Sequence, residues 1–211
     1  MASAGETTSR QGRRKQATKG KIVAAADALF AARGYDNTSI EEIAAEADIA
    51  VRTIYLHFES KAGIMLSYFD EWLDAFIDQV MRRPLSEPVV ATVEAAVEAM
   101  SADGWLERVE QTGQRPHPLV QYLGSGSRDI AGHVMHRWMQ KLHQLSTHDD
   151  APNVDPHAAT DRYARAMLIF SYWMGAMFVA SEKEAGAELP KPLQGARPGS
   201  ALLARITAGD L

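Results

Sequence analysis

The stretch SIEEIAAEADIAVRTIYLHF, residues 39–58, decides the fold of this chain. It opens with Ser39 and carries Glu42 three residues later, which is the pattern of a capping box at the start of a helix. Residues 48–50 then form a short turn, and the segment from Val51 to Phe58 predicts a second short helix. Two short helices joined by such a turn have the spacing of a helix-turn-helix unit, whose second helix enters the DNA major groove.

These two short helices have one apolar side and one polar side. The apolar side can lock them together, and it consists of Ile43, Ala44, Ile49, Ile54 and Phe58. The polar side of the second helix presents Val51, Arg52, Thr53, Tyr55 and His57. Nearly all of these can donate hydrogen bonds to phosphate oxygens or base edges, so we expect a recognition helix. Half-buried helix positions for Tyr55 and His57, and a merely solvated charge for Arg52, are the alternatives.

The amino-terminal end is basic although the whole chain carries a net charge of −5. Residues 7–26 include six lysines and arginines and no acidic residue. We expect residues 1–17 to form a basic arm on an otherwise acidic protein, which suits a molecule that touches phosphates with one end only. Arg13, Arg14 and Lys15 would track phosphates or enter the minor groove. A solvated tail without a role is the alternative.

Helical periods dominate the remaining sequence, and strand alternation is nearly absent. The sequence therefore predicts an all-α protein of about nine helices. A three-helix head, residues 18–61, would bind DNA, and a helical body, residues 62–211, would bind a ligand and dimerise. The predicted helices lie at about 18–33, 39–47, 51–58, 60–83, 88–100, 105–111, 118–123, 128–145, 155–184 and 200–207.

Composition narrows the class of protein further. Cysteine is absent, which excludes disulfides, thiolate metal sites and cysteine nucleophiles. The first residues lack the apolar segment of a signal peptide. The longest apolar run, residues 166–180, is shorter than the ~20 residues of a bilayer span. We therefore expect a cytoplasmic protein.

No set of residues in the sequence predicts catalysis, a cofactor or a metal site. There is no nucleophile elbow, no glycine loop for phosphates and no convincing carboxylate pair. His133, His136 and His143 have a helical spacing that could hold zinc or nickel, but only Asp129 is placed to complete the set. Surface histidines are the simpler interpretation, and we expect the protein not to be an enzyme.

Residues 18–61 contain a series of short motifs without gaps. They are Ala26, Leu29-Phe30, Gly34-Tyr35, Thr38-Ser39-Ile40, Ile43-Ala44, Thr53-Ile54-Tyr55, His57-Phe58 and Ser60-Lys61. This series resembles the DNA-binding head of the TetR family of bacterial transcriptional regulators. Two positions depart from the family pattern: Ala50 stands where a capping serine is frequent, and Leu56 replaces a polar or basic residue.

The resemblance implies a role for each matched polar residue. Phosphate contacts would come from Thr38 or Ser39, Thr53, Tyr55, His57 and Lys61. Base edges would be met by Val51 and Arg52, with the Arg52 guanidinium on a guanine.

The resemblance also implies a homodimer on a palindromic double-stranded operator. Residues 166–180 make the predicted helix 155–184 apolar nearly all round, so it must be covered on both sides. In the family the last two helices of each subunit form the dimer interface, here the predicted helices 155–184 and 200–207. A monomer with a fully wrapped central helix is the alternative.

Large apolar side chains in the body predict a pocket for a small hydrophobic ligand. The candidate lining residues are Trp105, Tyr122, Met135, Trp138, Phe170, Trp173, Met174 and Met177. Each could equally be ordinary core. The expected function is a repressor that a small hydrophobic molecule releases from its operator. An activator, or a small-molecule sensor of the same fold without specific DNA binding, is the alternative.

Overall fold

The computed structural model describes residues 4–105, 127–147, 156–184 and 186. Every regular element within these ranges is an α-helix, which confirms the predicted fold class. The predicted helices at 118–123 and 200–207, and that at 105–111 beyond its first residue, lie outside the described residues. The eight described helices are α1 (Ala4–Arg33), α2 (Ile40–Glu46), α3 (Val51–Tyr55), α4 (Lys61–Met65), α5 (Ser67–Met81), α6 (Val89–Ala102), α7 (Arg128–Thr147) and α8 (Pro156–Glu184).

The chain divides into two compact units, Met1–Tyr68 and Phe69–Leu211. In the first unit α1 packs against α2 and α4, and α2 packs against α3. Apolar side chains from all four helices and their turns are buried together, and burial of this surface drives the unit to fold. They include Ile22, Ala26, Phe30, Tyr35, Ile43, Ala44, Ile54, Phe58, Ala62 and Ile64.

The boundaries of α1 and α2 follow from local chemistry. Gly34 has a φ of 83°, a left-handed conformation in which glycine is favoured, and it ends α1. The Ser39 backbone N–H donates to Glu42 Oε2 at 2.8 Å, and the Glu42 N–H donates to Ser39 Oγ at 3.2 Å. This reciprocal pair confirms the predicted capping box. The hydrogen bond from the Ser39 backbone also lowers the pKa of Glu42.

Helix α1 begins at Ala4, so the predicted start at Thr18 is wrong. The Thr18 hydroxyl does not cap a helix; it donates to the Arg14 carbonyl, one turn back, at 3.0 Å. Residues 4–17 contain no proline, and eight of the fourteen are arginine, glutamine, lysine or alanine, which are good helix formers. The segment interpreted as an arm therefore continues the helix.

The predicted helix 60–83 is interrupted at Leu66, whose φ of −95° and ψ of 14° separate α4 from α5. All residues from Ala62 to Ser67 are buried. A segment covered on every side has no solvent-facing stripe, so hydrophobic periodicity cannot locate a break within it.

In the second unit α8 packs against α7 and α6. The core of this unit contains large side chains from α5, α6, α7 and α8, among them Leu73, Phe76, Ile77, Val93, Ile130, Val134, Trp138, Leu142 and Ile169.

The contact between α5 and α7 is charged at its edge. Asp70 accepts from His133 Nε2 at 3.0 Å and from Arg137 Nε at 3.1 Å. Asp74 pairs with Arg137 at 2.8 Å and with Lys141 at 2.7 Å.

A buried arginine of α8 holds the turn that leads into α6. The Arg165 side chain is 8% exposed and donates to the Leu85 carbonyl at 3.1 Å, the Glu87 carbonyl and the Thr92 hydroxyl. The Glu87 carboxylate accepts from Arg83 and, at 2.8 Å, from Thr92. Hydrogen bonds lower the pKa of Glu87 from 4.5 to about 2, and the one from Arg83 is the largest cause, followed by the one from Thr92.

We expect Glu87→Gln to destabilise the protein at pH 7, with the loss shrinking as the pH falls. Ionised Glu87 is favoured in the folded state, so its contribution is complete above pH 4.5 and disappears as the pH approaches about 2. Thermal unfolding of both proteins between pH 7 and pH 3 measures this convergence. Glu98→Gln, an exposed position on α6, is the matched control. A loss of the same size at every pH would contradict the assignment.

Candidate nucleic-acid interface

Helix α3 is short and starts without a side-chain cap. Ala50 has extended backbone angles, and its methyl group offers no hydrogen bond to the first turn. The backbone supplies the closure instead, because the Thr53 N–H donates to the Ala50 carbonyl at 2.8 Å. After Tyr55 the chain continues as a turn, in which the Phe58 N–H donates to the Ile54 carbonyl at 2.9 Å. The element is thus five residues long, shorter than the predicted 51–58.

The exposure of α3 divides cleanly between two sides. Ile54 is 0% exposed and Phe58 is 7% exposed, so both anchor the helix in the core. Arg52 is exposed, and Tyr55 is 56% exposed. The predicted contacts Val51 and Thr53 are partly exposed at the edges of this surface. A guanidinium and a phenol side by side on a solvent-facing helix can donate to base edges and phosphates.

Leu56, where the sequence departs from the family pattern, is a surface residue. It is 69% exposed and directly follows Tyr55 on the solvent side. An exposed leucine cannot bind phosphate, but its methyl groups can contact the methyl group of a thymine in the major groove.

Three predicted phosphate contacts have partners inside the protein. Thr38 is 2% exposed, and its hydroxyl donates to the Gly34 carbonyl at 2.9 Å. The hydroxyl of Ser39 accepts within the capping box. The Lys61 ammonium donates to the carbonyls of Tyr35 at 2.9 Å and Thr38 at 3.0 Å, and lies 4.0 Å from the centre of the Tyr35 ring. These groups stabilise the α1–α2 connection.

His57 lies beside the basic part of α1. Burial lowers the pKa of the His57 imidazole, and the positive charges of Lys15 and Lys19 lower it further. The Lys19 ammonium is 5.8 Å from the centre of the Phe58 ring. The structure therefore brings the predicted contacts His57 and Lys15 into one electrostatic neighbourhood, whereas Arg13 and Arg14 are exposed farther along α1.

The predicted ligand-lining residues are distributed over two aromatic groups. Trp138 is 1% exposed and contacts Phe170 edge to face at 5.6 Å. Trp173 contacts Trp72 at 4.4 Å and Phe76 at 5.3 Å. The sequence did not predict the two α5 rings, Trp72 and Phe76, because periodicity shows which face of a helix is apolar but not which other helix packs against that face.

The remaining predicted lining residues are less enclosed. Trp105 and Met174 are partly exposed, and Met135 is 44% exposed, so Met135 faces away from the interior of its own chain. Tyr122 and the side chain of Met177 lie outside the described residues.

Within the described ranges no three histidine, aspartate or glutamate side chains converge on a metal site. His133 contacts Asp70 instead. The helices of the described part of the chain are also too short or too polar to cross a membrane.

The helix-turn-helix region matches known proteins. The model of the family described as "Bacterial regulatory proteins, tetR family" matches residues 22–68. TcmR, an HTH-type transcriptional regulator of Streptomyces glaucescens, is 31% identical over 46% of this chain and 45% of its own length. The fatty acid metabolism regulator protein of Bacillus subtilis is 34% identical over 36% of this chain and 39% of its own length.

A third relative is IcaR of Staphylococcus epidermidis, the negative transcriptional regulator of the biofilm operon icaADBC. It is 31% identical over 30% of this chain and 35% of its own length. The chain thus covers less than half the length of these curated relatives. The residues that the family model matches, 22–68, include the helix-turn-helix unit of α2 and α3 together with α4. The helix-turn-helix unit of this chain is therefore similar to that of the tetR family of bacterial regulatory proteins.

Proposed function

We propose that this protein is a ligand-responsive DNA-binding transcriptional regulator that acts as a repressor. The observation that carries the proposal is the two-sided exposure of α3, with Ile54 and Phe58 buried and Arg52 and Tyr55 open to solvent. A helix held in this way can enter a groove without breaking its own core contacts. The relative IcaR is a negative transcriptional regulator, which favours repression over activation.

We expect different residues of this surface to contact bases and phosphates. Arg52 would read a base, and Tyr55 and Thr53 would donate to phosphates on either side. His57 would join them, because a nearby phosphate favours its protonated form. The internal partners of Thr38, Ser39 and Lys61 indicate an indirect role for these three, which is to hold the α1–α2 connection in place beside the DNA.

We also propose that the regulator is a homodimer. On α7, Met135 is 44% exposed and Met139 is 55% exposed; on α8, Tyr163 is 58% exposed and Met167 is 37% exposed. Each pair is spaced by one helical turn, and the two helices pack against each other. These four large side chains are exposed on two neighbouring helices, and a second copy of the chain would cover them. This assigns α7 to the interface together with α8, whereas the predicted contribution of residues 200–207 lies outside the described residues.

A ligand site is proposed among the aromatic side chains of the second unit. Among the described residues, the buried indole N–H groups of Trp138 and Trp173 have no hydrogen-bond partner. An unsatisfied buried donor is unfavourable, and a ligand that offers an acceptor removes this penalty. The ligand would therefore be a small apolar molecule with a carbonyl or carboxylate group. It would weaken DNA binding by favouring an arrangement that binds the operator less well.

Arg52→Ala is expected to weaken operator binding about 5- to 150-fold for each half-site and to relax the preference at one base pair in each half-site. Tyr55→Phe, which removes one phosphate donor from each subunit, is expected to cost about 2- to 10-fold for each half-site. The duplex is selected from random oligonucleotides with the wild-type protein, and affinities are measured by band-shift titration. Arg82→Ala removes the same charge from an exposed site of the second unit and serves as the control.

Unchanged affinity in both head variants would refute the proposed recognition surface. Weak binding of every duplex by the wild-type protein would instead identify a sensor without specific DNA binding. Reporter transcription that rises when the protein is removed supports repression, and transcription that falls identifies an activator.

Met139→Arg combined with Tyr163→Arg is expected to convert the dimer into a monomer. Two like charges on each copy would face their counterparts across the interface, where they cannot be hydrated. Sedimentation velocity over a range of concentrations measures the change. Gln140→Arg adds charge at an exposed neighbour on another side of α7 and should leave the dimer intact. A wild-type protein that remains monomeric at all concentrations would exclude the interface.

Trp173→Phe is expected to lower affinity about 2- to 10-fold for ligands with an acceptor, because it removes one buried donor and keeps most of the ring. Calorimetry would compare a medium-chain fatty acid, an aromatic carboxylate and a hydrocarbon of equal size. The fatty acid is included because one relative is named a fatty acid metabolism regulator. Trp72→Phe is the matched control. Equal affinity of all three probes, with no effect of Trp173→Phe, would contradict a donor role for the indole.

A further inference from the structure

The amino-terminal half of α1 is a basic surface that continues beyond the helix-turn-helix unit. Helix α1 starts fourteen residues before the predicted position, at Ala4 rather than Thr18. At ~1.5 Å per residue, this extension is about 21 Å long. Its residues 7–17 include four basic residues and no acidic one. An isolated, purely structural helix would gain nothing from such a one-signed charge pattern.

Lys19 of this helix contacts the recognition element, by which we mean residues 51–58, and Lys15 lies one turn earlier on α1. Lys15 and Lys19 are one turn apart and follow the same side of α1 as the buried Ile22. The Lys19 ammonium reaches the Phe58 ring at 5.8 Å, and both lysines act electrostatically on His57. The side of α1 that carries Lys15, Lys19 and Ile22 therefore extends from the core of the first unit to the end of the recognition element.

We propose that the amino-terminal half of α1 binds DNA as a straight basic helix, which places Lys15 and Lys19 on the phosphate backbone next to the contact made by His57. This inference rests on the proposed function and specifies how its basic segment acts. The segment reads no sequence; it adds affinity through phosphate neutralisation and counterion release.

The dimensions of a helix exclude the other mode predicted for this segment. A helix with its side chains is about 10–12 Å wide, whereas the minor groove of B-DNA is only about 6 Å wide. An extended arm could enter that groove, but the helix cannot. The major groove is wide enough for a helix, but in the proposed complex the recognition element occupies it, so the amino-terminal half of α1 would lie across the sugar-phosphate backbone. Minor-groove entry by Arg13, Arg14 and Lys15 would require α1 to unwind.

In a helix, basic residues at neighbouring positions also project in different directions. At about 100° per residue, Arg13 lies about 160° away from Lys15 around the axis, so the two cannot face the same phosphates. In a flexible extended arm these two residues would be nearly equivalent. The helical mode therefore assigns a phosphate contact to Lys15 and none to Arg13, although both are exposed and carry the same charge.

The helix has features that make its formation sensitive to single substitutions. Lys15 and Lys19, four residues apart, repel each other on one side, which weakens a helix in the absence of counter-charge. Gln16 is exposed on another side of α1, so its replacement changes the backbone preference without removing a basic group. A proline there removes one backbone donor and clashes with the preceding turn.

The first experiment compares Lys15→Gln with Arg13→Gln. Affinity for the duplex selected by the wild-type protein is measured as a function of salt concentration. Because both subunits of the proposed dimer carry the substitution, Lys15→Gln should reduce the slope of log K against log salt by about 1.8, twice the value of about 0.9 for one phosphate contact, and Arg13→Gln should change it far less. Equal losses for the two variants, or no loss for Lys15→Gln, would overturn the proposal.

The second experiment compares Gln16→Pro with Gln16→Ala. If the segment binds as a helix, the proline variant should lose several-fold in affinity for the selected duplex and for a random duplex of equal length, and the alanine variant should not. Circular dichroism melting checks that the rest of the protein remains folded. A proline variant that binds as well as the alanine variant, or more tightly, would show that the segment does not act as a helix.

The failure of this inference can be distinguished from the failure of the proposed function. If the wild-type protein prefers no duplex and Arg52→Ala has no effect, the recognition surface itself is wrong. If Arg52→Ala weakens binding while Lys15→Gln and Gln16→Pro do not, only the role of the amino-terminal helix is refuted.

Discussion

Burial of Ile54 and Phe58 is the constraint on which the nucleic-acid interface depends. These residues are four apart, so they project from the same side of the recognition element into the core. Because the side chains of Ile54 and Phe58 are held in the core, Arg52 and Tyr55 face solvent. The short α3 lacks a side-chain cap and has too few residues to be stable alone. Its position is therefore set by packing, and the orientation of the DNA-facing groups follows from the same two contacts.

The connection between α1 and α2 depends on a charged group used internally. The Lys61 ammonium joins the carbonyls of Tyr35 and Thr38, and the Thr38 hydroxyl joins the carbonyl of Gly34. Together they satisfy carbonyl acceptors of the turn that follows α1, in which the side chains of Tyr35 and Thr38 are buried. A family resemblance predicts that a lysine recurs at this position. Only the coordinates show that two of its hydrogen bonds are made within the protein.

Local signals in the sequence predicted most of the helix boundaries, and signals that depend on tertiary packing were not predictable. Gly34 and the Ser39–Glu42 pair act within a few residues, so their outcome could be foreseen. The break at Leu66 lies in a fully buried segment without a polar side. The ring contacts of Trp173 with α5 join residues about a hundred positions apart in sequence. Periodicity identifies an apolar side, but the partner of that side is chosen by the fold.

The net charge of −5 is compatible with binding a polyanion because screening makes the charge local. At physiological salt, electrostatic interactions decay over about 8 Å, so a phosphate responds to the groups that touch it or nearly touch it. Around His57 those groups are Lys15 and Lys19, whose influence on the imidazole is already present without DNA. In the free protein the two nearby lysines disfavour a proton on His57. Beside a phosphate this effect would be reversed, because the phosphate is a counter-charge for all three groups. The basic side of α1 and the recognition element would then act as one surface, and the acidic remainder of the chain would oppose binding only weakly.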